Sequence, residues 1–208
     1  MALVSNFLSA LLLAILNIWI ASRFYEARIA RNWQRVSAVL VTLSACLIFT
    51  SSVFRNYNTI YMLPILLFTY SIILIDWLEK RIPNRITLIL AVLQSLSILI
   101  RAFSEKSLAP LSAIYLGLGA FAIFLILNLV SRSQIGMGDV KLSYSLAVGI
   151  GSISPYSMYW ASLLAFSLAG IFALGLLLSR KASLHSSFAF GPFMILGTWL
   201  SLLVYQVQ

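Results

Sequence analysis

Residues 60–101, IYMLPILLFTYSIILIDWLEKRIPNRITLILAVLQSLSILIR, are two apolar runs joined by a polar turn. A transmembrane helix needs about 20 mostly apolar residues; the run 60–78 has that length and 86–100 approaches it. Between them Pro83 stops one helix and Asn84 is a good N-cap for the next. The stretch therefore reads as a membrane hairpin. Its one oddity is Asp76, which lies inside the first arm, about one turn before the polar turn.

The same pattern extends in both directions. Of 208 residues, 62% are hydrophobic and 9% charged, against roughly 25% charged in a soluble domain, which excludes an ordinary water-soluble globule. Eight apolar spans are expected, at 4–21, 37–54, 60–78, 86–100, 110–130, 140–153, 156–179 and 188–205. The fold class is all-α, a polytopic membrane protein with about eight transmembrane helices. No cation precedes the first run, as one would in a secretory signal peptide, so it is expected to be an uncleaved span. There is no internal repeat.

Fourteen Lys and Arg against five Asp and Glu give a net charge of +9, which on charge alone suggests nucleic acid. The cations instead fall in short loops, where they hold those loops on the cytoplasmic side. Arg23, Arg28, Arg31 and Arg35 occupy the first loop, Lys80, Arg81 and Arg85 the third, Arg132 and Lys141 the fifth, and Arg180 and Lys181 the seventh. Only Arg55, Arg101 and Lys106 fall in even-numbered loops. Eight spans with both termini outside satisfy this alternation, and the expected partner of the positive surface is anionic membrane lipid rather than nucleic acid. Cys46 and His185 are the only residues of their kinds, so an intrachain disulfide is excluded, and zinc-thiolate and most His-based metal chemistry are not expected.

Glu26, Glu79 and Glu105 fall in loops, where a nearby Lys or Arg is the ordinary partner. Asp76 closes span three and Asp139 opens span six. The topology places both acids, 63 positions apart, at one membrane depth. Ionisable groups within spans are costly and functional by default. Close carboxylates share a proton, so one can activate water while the other protonates a carbonyl, as in aspartic proteases. Acids neutralised by neighbouring cations, or a proton relay in a small proton-coupled transporter, also satisfy the placement. Gly136 and Gly138 just before Asp139 permit positive φ and close approach of another chain.

Three blocks then carry a resemblance: DWLEKRIPN at 76–84, GMGDVKL at 136–142 and FGPF at 190–193. They resemble, in order, the bacterial prepilin peptidases, or type IV leader peptidases, of the GxGD intramembrane aspartyl protease class. The likeness covers about residues 60–205, so the chain divides into two N-terminal helices, 1–58, and a six-helix peptidase core, 59–208. The resemblance implies that a short basic leader is removed from a prepilin or pseudopilin at the cytoplasmic face of the inner membrane. It makes Asp76 and Asp139 catalytic, with Gly136, Gly138, Lys141, Pro83, Asn84, Gly191 and Pro192 as motif or substrate-binding residues. Larger members carry a CxxC-bearing cytoplasmic domain and also methylate the product. Here the loop at 22–36 is too short and lacks cysteine, so no methyltransferase activity, zinc, S-adenosylmethionine or other cofactor is expected. The loops carry no oligomer signal.

Weaker patterns have ordinary explanations. GIGS at 149–152 with His185 imitates a serine protease pair, but topology sets the two nearly a bilayer apart, and Gly149 and Gly151 suit close helix packing. Lys141, one turn into span six, is expected to reach toward lipid phosphate or, alternatively, to tune Asp139. Trp19, Trp33, Trp77, Trp160 and Trp199 are expected mostly near the interfaces, as in an aromatic belt.

Overall fold

A helix that is apolar all round has no polar stripe for water, so it ends up ringed by protein or by lipid. Both outcomes occur in this chain. A computed structural model describes residues 2–24, 32–131, 135–180 and 188–207. Glu26, Arg28, Arg31, Arg132, Lys181 and His185, and the side chains of Arg23, Trp33, Arg35 and Arg55, lie outside the described part. The helices are α1 (Ala2–Phe24), α2 (Asn32–Arg55), α3 (Leu63–Glu79), α4 (Asn84–Glu105), α5 (Ser112–Val130), α6 (Met137–Gly151), α7 (Pro155–Leu178) and α8 (Gly191–Val207). They coincide in order with the eight expected runs. Short 3-10 turns, Tyr57–Met62 and Ala109–Leu111, lead into α3 and α5, and there is no strand among the described residues.

The chain is an all-α polytopic membrane protein. Tyr57–Glu79, Asn84–Glu105, Ala109–Val130 and Pro155–Leu178 are long and apolar enough to cross a membrane, and Leu8–Trp19, Ala38–Val53 and Gly191–Tyr205 are shorter apolar helices. Helix α6, with 15 residues, rises only about 22 Å, less than the roughly 30 Å of hydrocarbon. It tolerates this because α3, α4, α5, α7 and α8 all pack around it, so protein rather than lipid sets its length. Small residues permit the closest approaches. A Cβ on Gly117 of α5 would strike Val148 of α6, and one on Gly197 of α8 would strike the Ala161 carbonyl of α7. Gly149 and Gly151 serve the same purpose against Ile65 and Leu116.

Two expectations need correcting here. Trp199 is not interfacial: it is buried in the core, its Nε1–H donating to Thr69 Oγ1 at 3.2 Å and its ring edge-on to Phe49. The apolar run around it gives the indole more buried area than the interface offers, and Thr69 satisfies its N–H. Arg101 is not in a loop, because α4 continues to Glu105. Its guanidinium pairs with Glu105 at 2.8 Å, donates to the Ser152 carbonyl and lies over the Tyr61 ring, so the charges extend the helix until Lys106 ends it in the left-handed region.

Helices α1 and α2 pack on α3, and α2 also on α8. Asn17, fully buried in α1, donates to the Leu66 carbonyl and accepts from the Tyr70 N–H at 3.2 Å, two groups one turn apart on α3. Asn17→Leu is expected to lower stability by about 0.6–2 kcal/mol, the range for a hydrogen bond between membrane helices, read as the unfolding midpoint in detergent titrated with denaturant.

Candidate active site

Three helix ends converge on one point. Helix α3 stops where Lys80 turns left-handed at φ 52° and donates its N–H to the Asp76 carbonyl at 2.8 Å. The chain crosses Arg81, Ile82 and Pro83, and the Pro83 carbonyl then accepts from Ile86 and Thr87 to start α4. Pro83 therefore caps α4. Asn84 is its first residue and makes no capping bond, because its side chain is engaged elsewhere: Asn84 Oδ1 accepts from Lys141 Nζ at 2.7 Å. Both the expected Asn84 cap and the expected reach of Lys141 toward lipid give way to this link between α4 and α6.

Helix α6 begins after Gly136, whose carbonyl accepts from Asp139 and Val140. The segment before it is held by Asn128 of α5, buried, which donates to the Ile135 carbonyl. Asn128 is not among the residues named from sequence, although an asparagine in the apolar run LILNLV is the local signal for such a tether. No described glycine has positive φ, and Gly136 itself sits at −66°. The glycines serve close approach alone. A Cβ on Gly138 would lie 2.9 Å from Ile82 Cβ and 3.1 Å from the Ile82 backbone N and O. Ile82, buried in the middle of a basic turn, is the wedge that sets the spacing between the α3–α4 turn and α6.

Helix α8 completes the site. Its first residue, Gly191, donates its N–H to Asp76 Oδ2 at 2.8 Å, and Pro192 follows in the first turn, where a missing N–H costs nothing. Phe190 packs against Phe166 of α7 and Phe124 of α5 at centroid distances of 5.2 and 6.4 Å, which anchors the segment entering Gly191.

Asp76 and Asp139 are only 3% and 8% exposed, yet both line one cleft of about 400 Å³ with Lys80, Arg81, Asn84 and Lys141. Among the described residues Asp139 Oδ1 has no hydrogen-bond partner, and a buried oxygen in that condition is one that water or a bound substrate completes. Ser152, by contrast, lies at the far end of α6 and donates to the Gly149 carbonyl at 2.7 Å. Of the residues named from sequence, Asp76, Asp139, Gly136, Gly138, Asn84 and Lys141 line the cleft, and Gly191 touches it through Asp76.

The model of the type IV leader peptidase family matches residues 61–179, a segment that contains both aspartates. This chain belongs to the type IV leader peptidase family. No curated protein and no solved structure matches it. As a member of that family the chain is a membrane protein with peptidase activity, and the family match ends before α8. The bond from Gly191 to Asp76 is contributed from outside the matched segment.

That bond makes a prediction for this chain. A Cβ at position 191 would lie 2.8 Å from Asp76 Oδ2 and 3.0 Å from Ile82 Cδ1, so Gly191→Ala forces the carboxylate to move. Misplacing a reacting group by about 1 Å costs on the order of 10²-fold. Leader cleavage by purified Gly191→Ala is expected to fall by about that factor with an unchanged melting temperature.

Proposed function

We propose that the protein is an intramembrane aspartyl endopeptidase that removes the short basic leader from type IV prepilins or pseudopilins at the cytoplasmic face of the inner membrane. The observation that carries this reading is the shared cleft: two buried aspartates from separate helices at one end of the bundle. A water between the carboxylates would be deprotonated by one while the other protonates the scissile carbonyl oxygen. Peptide hydrolysis needs both acts together. The substrate backbone must be unwound there, since helical hydrogen bonds hide its carbonyls. Gly136 lines the cleft beside Asp139 with no side chain to obstruct an extended peptide.

The orientation follows from the basic loops, with both termini outside and the cleft among cytoplasmic cations. Residues 1–58 form an accessory pair of helices, and 59–208 the peptidase core. Catalysis uses no metal or cofactor, and the product is not methylated. The test is to mix purified protein with a panel of prepilins and read each new N-terminus by mass spectrometry. Cleavage at one bond just before the apolar helix, with no added mass of a methyl group, supports the reading. Intact prepilins throughout would refute it. Glu79 ends α3 beside Lys80 of the cleft wall, where its negative charge attracts a cationic leader. Glu79→Gln is expected to raise KM for a basic leader more than it lowers kcat.

A further inference from the structure

Helices α4 and α5 both pack on α6 but splay from each other, leaving an apolar groove of about 430 Å³. One wall is a stripe on α4, Asn84, Leu88 and Ala91, recurring at the helical spacing of three to four residues. The opposite wall is Leu118 and Phe121 of α5, and the floor is Lys141 and Tyr144 of α6. Leu88 and Leu118 are 66% and 52% exposed, so neither side chain is used in holding the fold together. The floor is rigid, because Tyr144 Oη is bonded to Ser95 Oγ of α4 at 2.8 Å. Asn84 and Lys141, joined at 2.7 Å, line both this groove and the aspartate cleft. The two spaces meet at that polar pair.

We propose that this groove seats the first two turns of the substrate's apolar helix, just beyond the bond held by Asp76 and Asp139. The inference rests on the leader-peptidase reading and adds where the substrate lies. From Asn84 to Ala91 is about 10 Å of helix, which is two turns of a partner laid alongside. A peptide leaving the cleft past Asn84 and Lys141 enters this apolar surface at once, and the same pair offers polar partners to the unwound backbone at the junction. An occupying lipid chain has no need of continuity with the cleft.

The experiment places a benzophenone amino acid at Leu88, at Leu118, or at the exposed Leu174 of α7, each in the Asp139→Asn background. The probe is a synthetic substrate with a basic leader and an apolar helix of about 20 residues. Expected are cross-links from 88 and 118 to the first two turns after the cleavage site, and none from 174. Lipid adducts alone at 88 and 118, or equal capture of substrate from 174, would overturn the proposal. As a second measurement, Ala91→Trp fills the groove in an otherwise native enzyme. The ratio of kcat/KM for the long substrate to that for a short soluble junction peptide is expected to fall about tenfold; an unchanged ratio counts against the groove. If the native enzyme cuts neither substrate, the peptidase reading fails, and this proposal with it.

Discussion

Asp76→Asn and Asp139→Asn are each expected to reduce leader cleavage by about 10²–10⁴-fold, the usual range for losing a positioned acid or base. An asparagine side chain keeps the shape and the hydrogen-bonding reach of aspartate, so in the first variant the amide at position 76 still faces the Gly191 N–H at the start of α8. What disappears is a site that can gain and lose a proton. In the proposed mechanism the two groups act on one water, so the double variant is expected to be no worse than the worse single one. Additive losses would mean that the acids work independently. Membrane insertion, yield and melting temperature serve as controls, because a burial defect and a chemical defect separate there. Full activity in either single variant would remove the dyad from the mechanism.

Gly138→Ala is expected to cost about 10²-fold in activity through geometry alone. The new Cβ would meet not only the Ile82 side chain at 2.9 Å but the Ile82 backbone N and O at 3.1 Å. A flexible side chain swings away; a backbone pinned between the end of α3 and Pro83 does not. The first turn of α6 must therefore retreat, and Asp139 in that turn moves away from Asp76. A shift of about 1 Å is enough for a loss of this size. Trimming Ile82 to Ala in the same chain relieves only the side-chain contact, so rescue is expected to be partial. Gly170→Ala on α7, where a Cβ meets nothing within 4 Å, is the matched control and is expected to keep native activity. Leader cleavage against the unfolding midpoint of each variant checks the set.

The helix ends were legible because their signals are local. Pro83 after a basic turn and Gly136 before Asp139 mark boundaries that chain stiffness and missing donors impose wherever they occur. The matching depth of the two acids followed in the same way from span count and loop charge. Arg101 and Trp199 were misplaced for one shared reason. Each found a partner on another element, Ser152 at the end of α6 in one case and Thr69 of α3 in the other; the Glu105 that pairs with Arg101 one turn on was a local signal, but the tertiary partners lie outside any window along the chain.

The amino-acid order by itself determined how many apolar helices form, where most of them stop, and that Asp76 and Asp139 terminate two of them at the same end. Run length, proline and loop charge act over a few neighbouring residues, so one dimension suffices. Only the tertiary structure decided what faces those acids: Ile82 against Gly138, Lys141 on Asn84, and the Gly191 N–H on Asp76 from 115 positions away. Those contacts depend on how each helix is rotated about its own axis. Interlocking side chains set that rotation, and the apolar faces of these helices are too uniform to announce it.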